Sequence, residues 1–187
     1  MQHHALFPFR HLLTAAVLAT GLYASAAQAE FYVGLGAANE LSDRAGHFGD
    51  GASADTVRSA LVGYNFSNTL GIEASYADLG ELYLSGIADG GFRTDGDLWA
   101  VAVTYSPDTG ALRPYAKLGW FSRDENGQAI TIAGPRPISF DDDGLTAELG
   151  GRWFVNDNFA LRLGYSWYDF DGGGDGSVGA AVEWHFR

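Results

Sequence analysis

The chain has 187 residues, 26 glycines against 5 prolines, no cysteine and a formal net charge of −12. Without cysteine there is no disulfide framework, thiol nucleophile or thiolate metal site. The acidic balance disfavours a nucleic-acid partner, which wants a basic stripe, and many glycines with few prolines suit a tightly turned β structure better than a disordered chain.

The chain opens with Arg10, an apolar run from Leu12 to about Ala24, and the small residues Ala27-Gln28-Ala29. This is the pattern of a secretory signal peptide cut before Glu30. The run is shorter than the ~20 apolar residues that a membrane-spanning helix needs. The expected organisation is a signal peptide at 1–29 and one domain at 30–187. Removing the leader takes away one arginine and no carboxylate, so the mature chain is more acidic still.

The remainder divides into eight segments of alternating character. The first, Phe31 to Ala38, places Phe31, Val33, Leu35 and Ala37 on one face. The second, about Thr56 to Phe66, presents Ala60, Val62, Tyr64 and Phe66. Arg58 is its misfit, a cation on the apolar face or a bulge turning inward. The third, Leu70 to Asp78, sets Leu70, Ile72, Ala74 and Tyr76 against Gly71, Glu73, Ser75 and Ala77. The fourth sets Trp99, Val101, Val103 and Tyr105 against Ala100, Ala102 and Thr104.

After the turn Ser106-Pro107-Asp108-Thr109-Gly110, the fifth segment, Leu112 to Arg123, puts Leu112, Pro114, Ala116, Leu118 and Trp120 outward. Arg113, Tyr115, Lys117 and Gly119 face inward. In the sixth, Leu145, Ala147, Leu149, Gly151, Trp153 and Val155 alternate with Thr146, Glu148, Gly150, Arg152 and Phe154; the paired glycines argue against a helix. Asn156-Asp157-Asn158 predicts a tight turn built on residues that tolerate left-handed backbone. The seventh reads Phe159, Leu161, Leu163, Tyr165, Trp167 against Ala160, Arg162, Gly164, Ser166, Tyr168. The eighth, Ser177 to Phe186, ends with Val182, Trp184 and Phe186 outward and Glu183 and His185 inward.

Eight such segments fit an eight-stranded antiparallel up-and-down transmembrane β-barrel, the smallest outer-membrane class. Residues 39–55, 79–97 and 124–143 read as long polar external connections. The short turns near 66–69, 106–111 and 156–158 belong at the periplasmic rim. In that register Phe31, Tyr64, Phe66, Tyr105, Trp153, Phe159, Trp184 and Phe186 collect at the periplasmic end, and Tyr76, Trp99, Trp120 and Trp167 at the other. Two aromatic girdles are what an interface-to-interface span requires, and a soluble sandwich does not.

The motifs GIEASYADLG at 71–80, RPYAKLGWF at 113–121 and LRLGYSWYDFDGG at 161–173, with the terminal aromatic strand, resemble the OmpA-like transmembrane β-barrel family of Gram-negative outer membranes. The resemblance implies an outer-membrane location, assembly through periplasmic chaperones and the outer-membrane assembly machinery, and an interior ionic cluster at Glu73, Lys117, Glu148 and Arg162. No peptidoglycan-binding domain follows, so no cell-wall tether is expected. Arg187 after Phe186 departs from the family's usual aromatic terminus.

Inward positions carry Glu73, Lys117, Glu148, Arg152, Arg162 and Glu183, with Arg113 near the rim. Buried charges persist only when paired. The set reads either as a gate whose pairs exchange partners or as a static plug in a lumen just wide enough for side chains. The acidic residues Asp50, Asp55, Asp95, Asp97, Asp141, Asp142, Asp143, Asp169, Asp171 and Asp175 read as solvated loops, or as carboxylates that bridge lipopolysaccharide phosphates through divalent cations; no spacing matches a calcium loop. Ala129 to Ala133 is apolar enough to extend the barrel as a hairpin with a partner-binding edge. His47 with Asp43 or Asp50 would be a protease-like pair, but such barrel proteases are larger, and His185 points inward away from lipid. The expectation is a structural or surface-interaction protein in outer-membrane lipid and lipopolysaccharide, not an enzyme, with no cofactor and no metal. A low-conductance pore and a loop-borne adhesin are the alternatives.

Overall fold

A computed structural model describes residues 29–39, 52–54, 56–87, 90–131, 134–170 and 173–186. It contains β1 (Glu30–Ala38), β2 (Ala52–Ala54), β3 (Val57–Asn65), β4 (Leu70–Ile87), β5 (Gly90–Tyr105), β6 (Leu112–Thr131), β7 (Gly134–Phe154), β8 (Phe159–Phe170) and β9 (Gly173–Phe186). Eight of these pair antiparallel in the order β4-β3-β1-β9-β8-β7-β6-β5, and β4 with β5 closes the ring. Apart from the β1–β9 seam, every neighbouring pair is consecutive around the barrel. β2 is a three-residue addition on the far part of β4.

Alternation fixes which side meets lipid. Leu35, Leu112, Leu118, Leu149 and Leu163 are all more than 60% exposed, whereas Glu73, Arg152, Arg162 and Glu183 are at most 7% exposed. A protein whose leucines face out and whose ions face in has hydrocarbon as its outer solvent.

The short turns lie together at the end where β1 begins and β9 finishes. Ser67 Oγ accepts from Leu70 N–H at 2.9 Å, and Asp108 Oδ1 accepts from Gly110 N–H at 3.2 Å, with Gly110 at φ +100. The 156–158 turn corrects the sequence expectation, because no described non-glycine residue has positive φ. Asn156 Oδ1 instead accepts from both Asn158 and Phe159 N–H at 2.9 Å, an Asx turn.

Two further expectations are corrected, and one alternative is decided. Segments 79–97 and 124–143 are not loops for most of their length: β4 and β5 run on to Ile87 and from Gly90, and β6 and β7 pair as far as Thr131 and Gly134. Asp95, Asp97 and Asp141 to Asp143 therefore stand on strands, as do Asp169 and Asp175, and Asp175 is buried. Phe66 lies beyond the end of β3, in the turn. Arg58 stays outward, opposite Asp78 and Ala37 in unbroken register, so no bulge turns it in. His47, Asp43, Asp50, Asp55, Asp171, Ile132 and Ala133 lie outside the described residues.

Candidate functional site: the barrel interior

Six inward side chains from five strands, Glu148 and Arg152 sharing β7, converge on one cluster. Lys117 and Glu148 stand opposite each other on β6 and β7, and Lys117 Nζ lies 2.5 Å from Glu148 and 2.7 Å from Glu73. Arg162, on β8, is the hub. Its Nη1 reaches Glu73 at 2.9 Å and Glu183 at 3.1 Å, and its Nη2 reaches Glu148 at 2.6 Å. Arg152 Nε lies 3.0 Å from Glu183, and its Nη2 lies 3.6 Å from Glu73. Three carboxylates meet three cations, and each carboxylate touches at least two cations. The cluster is electrically closed.

Two tyrosines, with the glycines beside them, complete the layer. The Tyr32 hydroxyl donates to Glu73 at 2.9 Å and accepts from Arg152 at 3.2 Å. The Tyr115 hydroxyl donates to Glu148 at 2.5 Å and accepts from Arg162 Nε at 2.9 Å. Both guanidinium groups lie over the Tyr115 ring, Arg162 at 4.7 Å and Arg152 at 5.1 Å. Tyr32 lies across Gly63, and the Tyr115 hydroxyl sits over Gly150 and Gly164; a Cβ at any of the three would collide with these rings or their hydroxyls. Sequence reasoning placed Tyr115 inward without a role and passed over Tyr32. Both were visible as inward positions beside a glycine on the neighbouring strand.

His185 extends the cluster toward the periplasmic rim. Its Nδ1 is 2.9 Å from Glu30 and its Nε2 is 3.1 Å from Glu183, and its ring stacks on Tyr32 at 5.0 Å. At the rim Arg113 pairs with Asp108 at 3.1 Å and lies over Phe154.

A second layer was not anticipated. Beyond the ions, toward the long hairpins, Val57, Leu79, Leu98 and Phe121 form a buried apolar cluster, with Tyr168 edge-on to Phe121 at 5.3 Å. All four are inward residues; Val57 begins β3, and Leu79, Leu98 and Phe121 lie midway along β4, β5 and β6, where these strands continue past the ion layer. Past them Arg123 lies 3.7 Å from Glu125 and 3.9 Å from Asp142. Among the described residues no group of three or more His, Asp or Glu side chains could hold a metal ion.

The aromatic residues expected as girdles point out of the barrel. Phe31, Tyr64, Tyr105, Trp153, Trp184 and Phe186 are exposed near the short turns, and Trp99, Trp120 and Trp167 near the far end. Tyr76 packs on Trp99 at 4.7 Å and Phe31 on Phe186 at 5.6 Å. Phe159 starts β8 at the short-turn end and is only partly exposed.

A lumen packed with ion pairs inside an apolar, aromatic-banded wall defines a small outer-membrane barrel. The chain belongs to the outer membrane protein beta-barrel domain family, which it matches over residues 12–186. That places it in the bacterial outer membrane. No curated protein matches the chain in sequence.

Solved structures agree in fold. Ail, the attachment invasion locus protein of Yersinia pestis, in complex with the heparin analogue sucrose octasulfate, has a TM-score of 0.60 at 15% identity over 85% of this chain and 99% of its own. The N-terminal barrel of Pseudomonas aeruginosa OprF gives 0.58 at 14% identity, over 85% and 98%. Neisserial surface protein A gives 0.55 at 19% identity, over 83% and 97%.

Proposed function

We propose that the protein is a non-catalytic, sealed outer-membrane barrel that holds a rigid β-sheet above the lipid for surface contacts. The observation that carries this reading is the two-layer filling of the lumen, in which the balanced cluster of Glu73, Glu148, Glu183, Lys117, Arg152 and Arg162 lies against the apolar layer of Val57, Leu79, Leu98 and Phe121. A gate would need each ion to release its partners, and here Arg162 would have to leave three carboxylates in a site with little water to take their place. Planar-bilayer recording of refolded protein tests this: no steps are expected. Steady steps that disappear in Glu73→Gln or Arg162→Met would establish the low-conductance pore instead.

The surface role rests on the extension of β4 to β7 past the outer aromatic residues. Its outward side carries a transverse row, Asp78, Asp97, Asp124 and Asp141, on directly paired positions. Ail was solved with a polysulfated ligand; a row of carboxylates repels such a polyanion, so adhesion to sulfated polysaccharide is disfavoured for this chain. Residues 1–29 act as the export signal on this reading, because β1 opens at Glu30. Intact mass of the protein extracted from outer membranes should give a chain starting there. The aromatic band residues anchor the barrel at the two interfaces, and the terminal aromatic strand is the segment offered to the assembly machinery.

A further inference from the structure

Adjacent glycines on β7 have opposite surroundings. Gly150 faces the lumen and must be glycine, because a Cβ there would strike the backbone of Leu163 and the Tyr115 hydroxyl. Gly151 faces the lipid. A Cβ there would meet nothing closer than Leu112 Cδ1 at 3.8 Å, an ordinary contact, and its φ is not in the left-handed region. Neither the interior nor the backbone requires a glycine at this place, and glycine weakens a strand.

The missing side chain leaves a notch in the wall. Gly151 is paired with Pro114 on β6 and Leu163 on β8. A groove of about 570 Å³ opens there, with Leu112, Leu149, Trp153, Leu161 and Leu163 along its sides, and it continues to Tyr165 and Val178. Its walls are mostly carbon. Trp153, one outward position toward the short turns, marks the periplasmic interface, so the notch lies in the half of the membrane that carries phospholipid. Interior glycines in strands mark places where a ligand or another backbone approaches closely. At this depth, on the outward side of an outer-membrane barrel, the species in contact is hydrocarbon.

We propose that the Gly151 groove seats one acyl chain of an inner-leaflet phospholipid, holding it more tightly than the rest of the wall holds its annular lipid. Leu149 and Leu163 flank the chain, and Trp153 closes the periplasmic end beside the headgroup. The proposal is independent of whether the lumen conducts.

The full-length mature barrel, refolded into phosphatidylethanolamine and phosphatidylglycerol vesicles that contain a phosphatidylcholine with a diazirine in one acyl chain, provides the test. After photolysis, mass mapping should find labelling at Leu149, Leu163 and Pro114 several-fold above that at Leu35, Val62 and Val101. Gly151→Leu, which fills the notch, should bring those sites down to the level of the rest of the wall, while Ala74→Leu should leave the pattern unchanged. Even labelling of the wild-type wall would overturn the proposal without any variant. Labelling at Leu149 and Leu163 that falls below that of the rest of the wall would overturn it in favour of a face covered by a second copy of the barrel. Heat-shifted gel migration checks that Gly151→Leu is folded; if it is not, Gly151→Ala takes its place and should give a partial loss.

Discussion

Arg162→Met tests the interior at its hub. Arg162 has 6% side-chain exposure and bonds to Glu73, Glu148 and Glu183 together with the Tyr115 oxygen. Methionine fills much of the volume but leaves three carboxylates facing only Lys117 and Arg152, so the interior carries one uncompensated negative charge. Breaking a buried pair from one side costs about 3–5 kcal/mol. With a urea slope of about 1–3 kcal/mol per molar, the unfolding midpoint should fall by at least about 1 M. The assay is urea unfolding in lipid vesicles, read by heat-shifted gel migration. Glu148→Gln alone should also destabilise, since it unbalances the cluster in the other direction. The double variant restores neutrality, with Glu73 and Glu183 facing Lys117 and Arg152, so its loss should be smaller than the sum of the single losses by at least about 0.5 kcal/mol. A loss below about 1 kcal/mol for Arg162→Met, or strict additivity in the double variant, would refute the closed-cluster argument.

Gly63→Ala drives a methyl into the Tyr32 ring and should cost about 1–3 kcal/mol in the same assay. Arg113→Ala removes a rim ion pair whose carboxylate is half exposed, and should change stability by no more than about 1 kcal/mol. On the hairpin of β6 and β7, a hydrogen bond that the protonated Asp124 carboxyl donates to Asp141, and the nearby Asp141 charge, hold Asp124 above the ordinary aspartate range, with lesser contributions from desolvation and Asp97. The folded hairpin therefore binds this proton more tightly than the unfolded one, so the stabilisation is present below the ordinary aspartate pKa and is lost as pH rises through the raised value. Asp124→Asn should increase amide-exchange protection of the hairpin at neutral pH and make no difference in strong acid; equal protection at both would contradict the assignment.

The membrane-embedded half of the barrel was legible because lipid on one side and ions on the other impose a strict period of two. That constraint gave the register from Phe31 to Ala38 and from Leu145 to Tyr168, and the inward direction of Glu73, Lys117, Glu148, Arg152, Arg162 and Glu183. Above the lipid both sides of the sheet meet water, alternation lapses, and runs such as Asp141-Asp142-Asp143 read as loop although they are strand. The apolar layer was missed for a related reason: Val57, Leu79, Leu98 and Phe121 are apolar residues on the inward side, where the pattern predicts polar ones. The contact of Glu30 with His185 joins the two ends of the barrel sequence and has no local signal. Only closure of β1 on β9 makes it.

The central claim is that no water path crosses the lumen, and the absence of native cysteine makes that directly measurable. Ser75 faces inward between Glu73 of the ion layer and Leu79 of the apolar layer, and Asn68 lies exposed in a short turn. In the refolded barrel, Ser75→Cys should resist a membrane-impermeant maleimide added to either side over a time in which Asn68→Cys is fully modified. Modification of Ser75→Cys at a rate comparable with that of Asn68→Cys would contradict the sealed barrel.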